Sequence, residues 1–132
     1  MMSSGCNLGT LLALVLATGC SSAVPDERAV ALSHVEIRAS GADQGGEFCK
    51  DFRLTPRQVE EFFGRARTLP PQRLHDAFDS LPCWVRGAAR SPRGQVEWEI
   101  RAGNTARMTF PDGSVQLFGC EACDALKPAT PY

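Results

Sequence analysis

The sequence predicts an α+β domain, and three observations carry that prediction. A helix is marked over 56–67 by a cap, a leading proline and one apolar stripe. An alternating segment at 34–38 precedes it as an N-terminal strand. From residue 84 to 118 the apolar period falls to two, broken by three turn signals, so this region reads as a four-stranded antiparallel meander. A helix on a sheet lets each element bury one face, giving a two-layer sandwich.

Each element has its own residues. His34-Val35-Glu36-Ile37-Arg38 alternates apolar and polar like a half-buried strand, and Gly41-Ala42-Asp43-Gln44-Gly45-Gly46 ends it as a loop. Thr55 is a good N-cap, Pro56 suits the first helical position, and Gln58 completes a capping box. Val59, Phe62, Phe63 and Ala66 then fall on one helical stripe, with Leu54 placed to staple against Val59. Leu69-Pro70-Pro71 stops the helix, and Gln72 to Asp79 has room for one or two further turns. Trp84 to Arg90 reads as a strand ending at the turn Ser91-Pro92-Arg93-Gly94. Val96, Trp98 and Ile100 alternate with Gln95, Glu97, Glu99 and Arg101. Gly103-Asn104 turns the chain into Ala106, Met108 and Phe110, and Pro111-Asp112-Gly113 turns it again into Val115 and Leu117. The Phe62/Phe63 stripe is expected to pack on the face carrying Val96, Trp98, Ile100, Met108 and Phe110.

The N-terminus reads as an address. Residues 1–19 hold no charged side chain, and Leu11 to Ala17 forms a seven-residue apolar core, too short to span a bilayer but long enough for an export signal. The run ends in Ala17-Thr18-Gly19-Cys20, which resembles the lipobox of bacterial lipoproteins. That resemblance implies acylation of Cys20 as the first mature residue, and Ser21 after it implies sorting to the outer membrane, facing the periplasm. More than one acyl chain is needed for stable anchoring, a condition this class meets. Ordinary cleavage after Ser21-Ser22-Ala23, releasing a soluble protein, is the alternative. The chain then divides into a signal peptide (1–19), a lipidated tether (20–32), a single domain (33–126) and a tail (127–132). Fully extended, residues 21–32 reach roughly 40 Å at about 3.3–3.6 Å per residue.

Export decides the cysteine chemistry. Cys6 leaves with the signal and Cys20 takes lipid, so Cys49, Cys83, Cys120 and Cys123 remain in an oxidising compartment that favours disulfides. The short Cys120/Cys123 spacing favours a local bridge, leaving Cys49 to join Cys83, and the crossed pairings stay open. Leu54-Thr55-Pro56, Leu81-Pro82-Cys83, Trp98 to Gly103 and Cys120-Glu121-Ala122-Cys123 together resemble small exported bacterial proteins without assigned function. The resemblance covers most of the chain beyond residue 19, implies an exported cysteine-bearing domain, and transfers no activity.

Composition narrows function further. A 132-residue chain with net charge −1 and 43% apolar residues is neither disordered nor a nucleic-acid binder by charge. Cys120-Glu121-Ala122-Cys123 is the one short motif with a mechanism, but Glu121 and Asp124 disfavour a thiolate, and a thioredoxin-like βαβ unit has no room after it. One C-x-x-C pair is also too few for a zinc site in an oxidising compartment. No G-x-S-x-G elbow or H-E-x-x-H motif exists, His34 and His75 read as surface residues, and Glu97 and Glu99 are expected to pair across strands with Arg107. Residues 53–93 carry eight arginines against four acids, a balance of +4, whereas 97–124 balance at −3. The resulting expectation is a lipid-anchored, disulfide-stabilised, monomeric periplasmic binding protein of inhibitor or immunity type, without catalysis, cofactor or metal. Its partner would be a periplasmic or envelope protein, met by an exposed loop such as Arg90 to Gly94 or Pro111 to Ser114. An envelope thiol-disulfide protein using Cys120 and Cys123, or a structural envelope lipoprotein, are the alternatives.

Overall fold

The computed structural model describes residues 29–44 and 46–123. The expected export signal (1–19), Cys20 and the expected tail (127–132) lie outside the described residues. Strand β1 (Ser33–Ala42) leads through a short 3-10 helix (Glu47–Asp51) into helix α1 (Pro56–Arg65). A two-residue strand β2 (Arg67–Thr68) and a short helix α2 (Pro71–Ala77) follow. Strands β3 (Cys83–Ser91), β4 (Gly94–Arg101), β5 (Thr105–Thr109) and β6 (Val115–Gly119) come next. The architecture is α+β, as expected, but the antiparallel sheet has six strands in the order β1-β3-β4-β5-β6-β2, not four. The meander forms its centre, while β1 and β2 close its two edges.

The greater length of the expected N-terminal strand and the added strand β2 both have physical causes. β1 runs on through Gly41 and Ala42, where a loop was expected, because those residues pair with Trp84 and Cys83. α1 stops at Arg65 rather than 67 because Ala66 turns extended (φ −72°, ψ 160°) and Arg67–Thr68 pair with Phe118–Gly119. The ladder offered by β6 therefore outcompetes two more residues of helix. The helix start is as read from sequence: Thr55 Oγ1 accepts from the Gln58 amide at 3.1 Å, and Gln58 Oε1 accepts from the Thr55 amide at 2.8 Å.

Because β1 and β2 sit on opposite edges, α1 must cross one face of the sheet to join them. Val59, Phe62 and Phe63 are buried there against Val85, Val96, Trp98, Ile100, Met108 and Phe118. Phe63 meets Phe62 and Phe118 edge-on, each at a centroid distance of 5.2 Å; such pairs add about 0.5–1.5 kcal/mol beyond area burial. The Trp98 indole nitrogen donates to Ala88 O at 3.0 Å, so this buried ring leaves no polar atom unsatisfied. Val30 and Leu32 also pack against the core, and the Val30 amide donates to Phe63 O at 3.0 Å. Val30 and Leu32 thus pack with the domain that follows them. Among the described residues no helix is long and apolar enough to cross a membrane.

Candidate functional site

The four cysteines of the domain are paired, Cys49 with Cys83 and Cys120 with Cys123, at Cα separations of 5.1 and 5.5 Å. The first bridge fastens the 3-10 helix to the start of β3. The second closes a turn directly after β6, where Arg65 Nη1 donates to Ala122 O at 3.3 Å. Cys120 and Cys123 are 1% and 0% exposed, and Cys120 comes directly after β6 with Glu121 and Ala122 in a turn.

The two loops singled out in the sequence meet at one end of the sheet. The β3–β4 hairpin closes with Ser91 opposite Gly94, Ser91 Oγ accepting from the Arg93 amide at 3.1 Å and donating to Gly94 O at 2.9 Å. In the β5–β6 loop, Asp112 Oδ1 accepts from the Ser114 amide at 2.9 Å and from its hydroxyl at 2.7 Å. Arg93 joins the loops. Its Nη2 donates to Ser114 Oγ at 3.2 Å and lies 3.5 Å from Asp112 Oδ2, and its guanidinium sits 3.8 Å over the Phe110 ring. Hydrogen bonds from the Ser114 hydroxyl and amide, helped by Arg93, hold the Asp112 carboxyl below its ordinary value. The result is a preordered, exposed pad in which both prolines, Pro92 and Pro111, are exposed, as is Val115 at 45%.

The sheet face away from α1 carries a chain of charges. Arg86, Glu99 and Arg107 form one row across β3, β4 and β5. Glu99 Oε1 accepts from Arg86 Nε at 2.7 Å, its Oε2 accepts from Arg101 Nε at 2.9 Å, and Arg101 Nη1 reaches Asp43 Oδ2 at 2.7 Å. Burial works against the Arg101 charge, but its hydrogen bonds to Asp43 and Glu99 outweigh that and raise its pKa. Arg86 lies 3.8 Å over the Trp84 ring, which in turn covers Gly41, where a Cβ would come within 2.7 Å of the indole. The expected pairing of Glu99 with Arg107 does not form. Both Glu99 oxygens are already taken, and Arg107 has no ion-pair partner among the described residues. It lines a shallow recess of about 230 Å³ with Glu97, Glu99 and Thr109.

Other sequence candidates are scattered. His34, the second residue of β1, lies in the left-handed region (φ 52°), and His75 is exposed on α2. Among the described residues, five of the eight arginines over 53–93 are in ion pairs: Arg57 and Arg65 with Glu61, Arg67 with Glu121, Arg86 with Glu99, and Arg93 with Asp112. They lie on α1, β2, β3 and a loop, so the charge excess of that stretch is not one basic patch. Among the described residues no group of three or more His, Cys, Asp or Glu side chains is placed to hold a metal ion. The Arg93 clamp was missed in the sequence, although the expected β-hairpins place Arg93 and Asp112 in neighbouring turns. Compared with family models, curated proteins and solved structures, the chain matches none of them.

Proposed function

We propose that this chain is an exported, lipid-anchored interaction module of the bacterial envelope, non-catalytic, whose partner protein docks on the pad formed by the β3–β4 and β5–β6 loops. The observation that carries the reading is the Arg93 clamp. Two loops tied by an ion pair, a hydroxyl and an aromatic ring lose little conformational entropy on binding, which favours recognition by a small protein. The export and lipid-anchor parts rest on the uncharged first 19 residues and on Ala17-Thr18-Gly19-Cys20.

The test is capture of partners from detergent-solubilised envelope by the wild-type protein and by Arg93→Glu. One envelope protein should be recovered by the wild type and lost with the variant, in which repulsion from Asp112 parts the loops. Recovery of nothing, or of the same partner by both proteins, sinks the docking site. Intact mass of the native protein reports the anchor independently: an unacylated chain that keeps residues 1–19 refutes it. The thiol-disulfide alternative requires a bridge that mild reductant opens in the folded protein. The burial of both Cys120 and Cys123 supports resistance instead.

A further inference from the structure

The exposed edge of β1, at the opposite corner of the sheet from the loops, carries a second surface. The Asp43 amide donates to Pro82 O at 3.0 Å, which makes Asp43 and Pro82 a hydrogen-bonded pair continuing the register Ala42↔Cys83, Gly41↔Trp84 and Ser40↔Val85. Pairs alternate along an antiparallel ladder, so Gly41 also turns its peptide groups toward β3 while Ser40 and Ala42 turn theirs away. β1 is the last strand on that side, and among the described residues nothing accepts or donates to those outward groups.

Beyond that edge lies a recess of about 660 Å³. Ser40, Gly41, Ala42 and Gly46 line it along the strand edge. The 3-10 helix forms one wall, held in place by the Cys49–Cys83 bridge. Lys50 and Arg53 line it as well, against the single acid Glu47. Neither cation is in an ion pair among the described residues; Arg53 Nε only approaches Lys50 O at 3.4 Å. The remainder of the edge is unsuited to pairing, because the register slips at Arg38 and His34 is left-handed. Only a short, positively flanked stretch is open.

We propose that this recess binds an extended acidic segment of a partner protein, added as a strand beside Ser40–Ala42 with a carboxylate held by Lys50 and Arg53. This deepens the interaction reading and rests on it. Main-chain pairing would supply affinity, and the two cations would supply the preference for acid.

The test is selection of random peptides displayed on phage against the purified full chain with both bridges formed, followed by titration of the enriched peptide into isotope-labelled protein. Enriched sequences should alternate β-forming residues with Asp or Glu, and the Ser40 and Ala42 amides should become protected from exchange. The double change Lys50→Glu, Arg53→Glu should weaken binding about tenfold, the scale expected from two exposed pairs. Ser40→Pro should abolish binding, because it removes an amide hydrogen that points away from β3 and leaves the sheet's own ladder intact. No enrichment, neutral or basic winners, protection elsewhere, or indifference to both variants overturns the proposal. A dimer that Ser40→Pro dissolves would assign the edge to a second copy and overturn it too. Envelope capture is read in parallel. Capture that depends on Arg93 without peptide binding removes this proposal alone, and peptide binding without such capture removes the loop reading alone.

Discussion

The carboxylate of Asp112 receives the Ser114 amide at 2.9 Å, the Ser114 hydroxyl at 2.7 Å and, at 3.5 Å, the Arg93 guanidinium. These donors favour the charged form and lower its pKa below the ordinary 3.8. A depressed folded-state value contributes stability that is present above the unfolded value and disappears as pH falls through the folded one. The loop pad should therefore stay closed from neutrality down to 3.8 and open only at more acid pH, read from the Ser114 amide shift. A midpoint at or above 3.8 would refute the clamp. Gly119 sets a second residue-level constraint. A Cβ there would come within 2.5 Å of the Phe78 ring and 3.0 Å of Leu69 Cδ1, so the glycine lets the end of α2 lie on the outer face of β6. Gly119→Ala should push Phe78 outward and cost about 1–3 kcal/mol as overpacking. Urea unfolding measures that loss, and amide exchange should rise in α2 before it rises in the meander.

At the scale of elements, signals confined to one segment were legible and signals that depend on a partner were not. Thr55, Pro56 and Gln58 carry the start of α1 locally, and both halves of the capping box are present in the structure. Thr55→Ala should thus cost about 1 kcal/mol, within a usual range of about 0.5–2, measurable as a shift in the urea midpoint with unchanged slope. The meander was equally legible, since Val96, Trp98, Ile100, Met108 and Phe110 alternate over strands long enough to show a period, and all are buried. β2 was not, because two residues have no period and Arg67–Thr68 become a strand only where β6 offers an edge. The extension of β1 was hidden for a related reason: Gly41 looks like a breaker until Trp84 is seen lying across it. Among site residues, the exposed loops were named from their turn chemistry, but the clamp joining them was not. The Glu99 network was misread although its key was available. Once Ser91 pairs with Gly94, the register places Arg86 directly opposite Glu99, and that pairing precedes any contact with Arg107.

For the whole molecule, the two bridges differ in the chain they close, and that difference should appear in stability. Cys49–Cys83 spans 34 residues and ties the 3-10 helix to the strand beside β1, whereas Cys120–Cys123 spans 3 and tightens a turn already held by β6. By the loop-entropy relation the long bridge is worth about 4 kcal/mol and the short one about 2 at most. Replacing Cys49 and Cys83 together by alanine should therefore destabilise the protein roughly twice as much as replacing Cys120 and Cys123. Urea unfolding of the two double variants checks the order. The two losses should also be felt in different places. Without the long bridge the wall of the β1 recess is released while the Arg93 clamp, at the far end of the sheet, keeps its hydrogen bonds. Amide exchange should then rise at Glu47–Asp51 but not at Ser114. Equal losses from the two bridges, or faster exchange at both ends of the sheet, would mean that the bridges act through the common core and not on the segments they join.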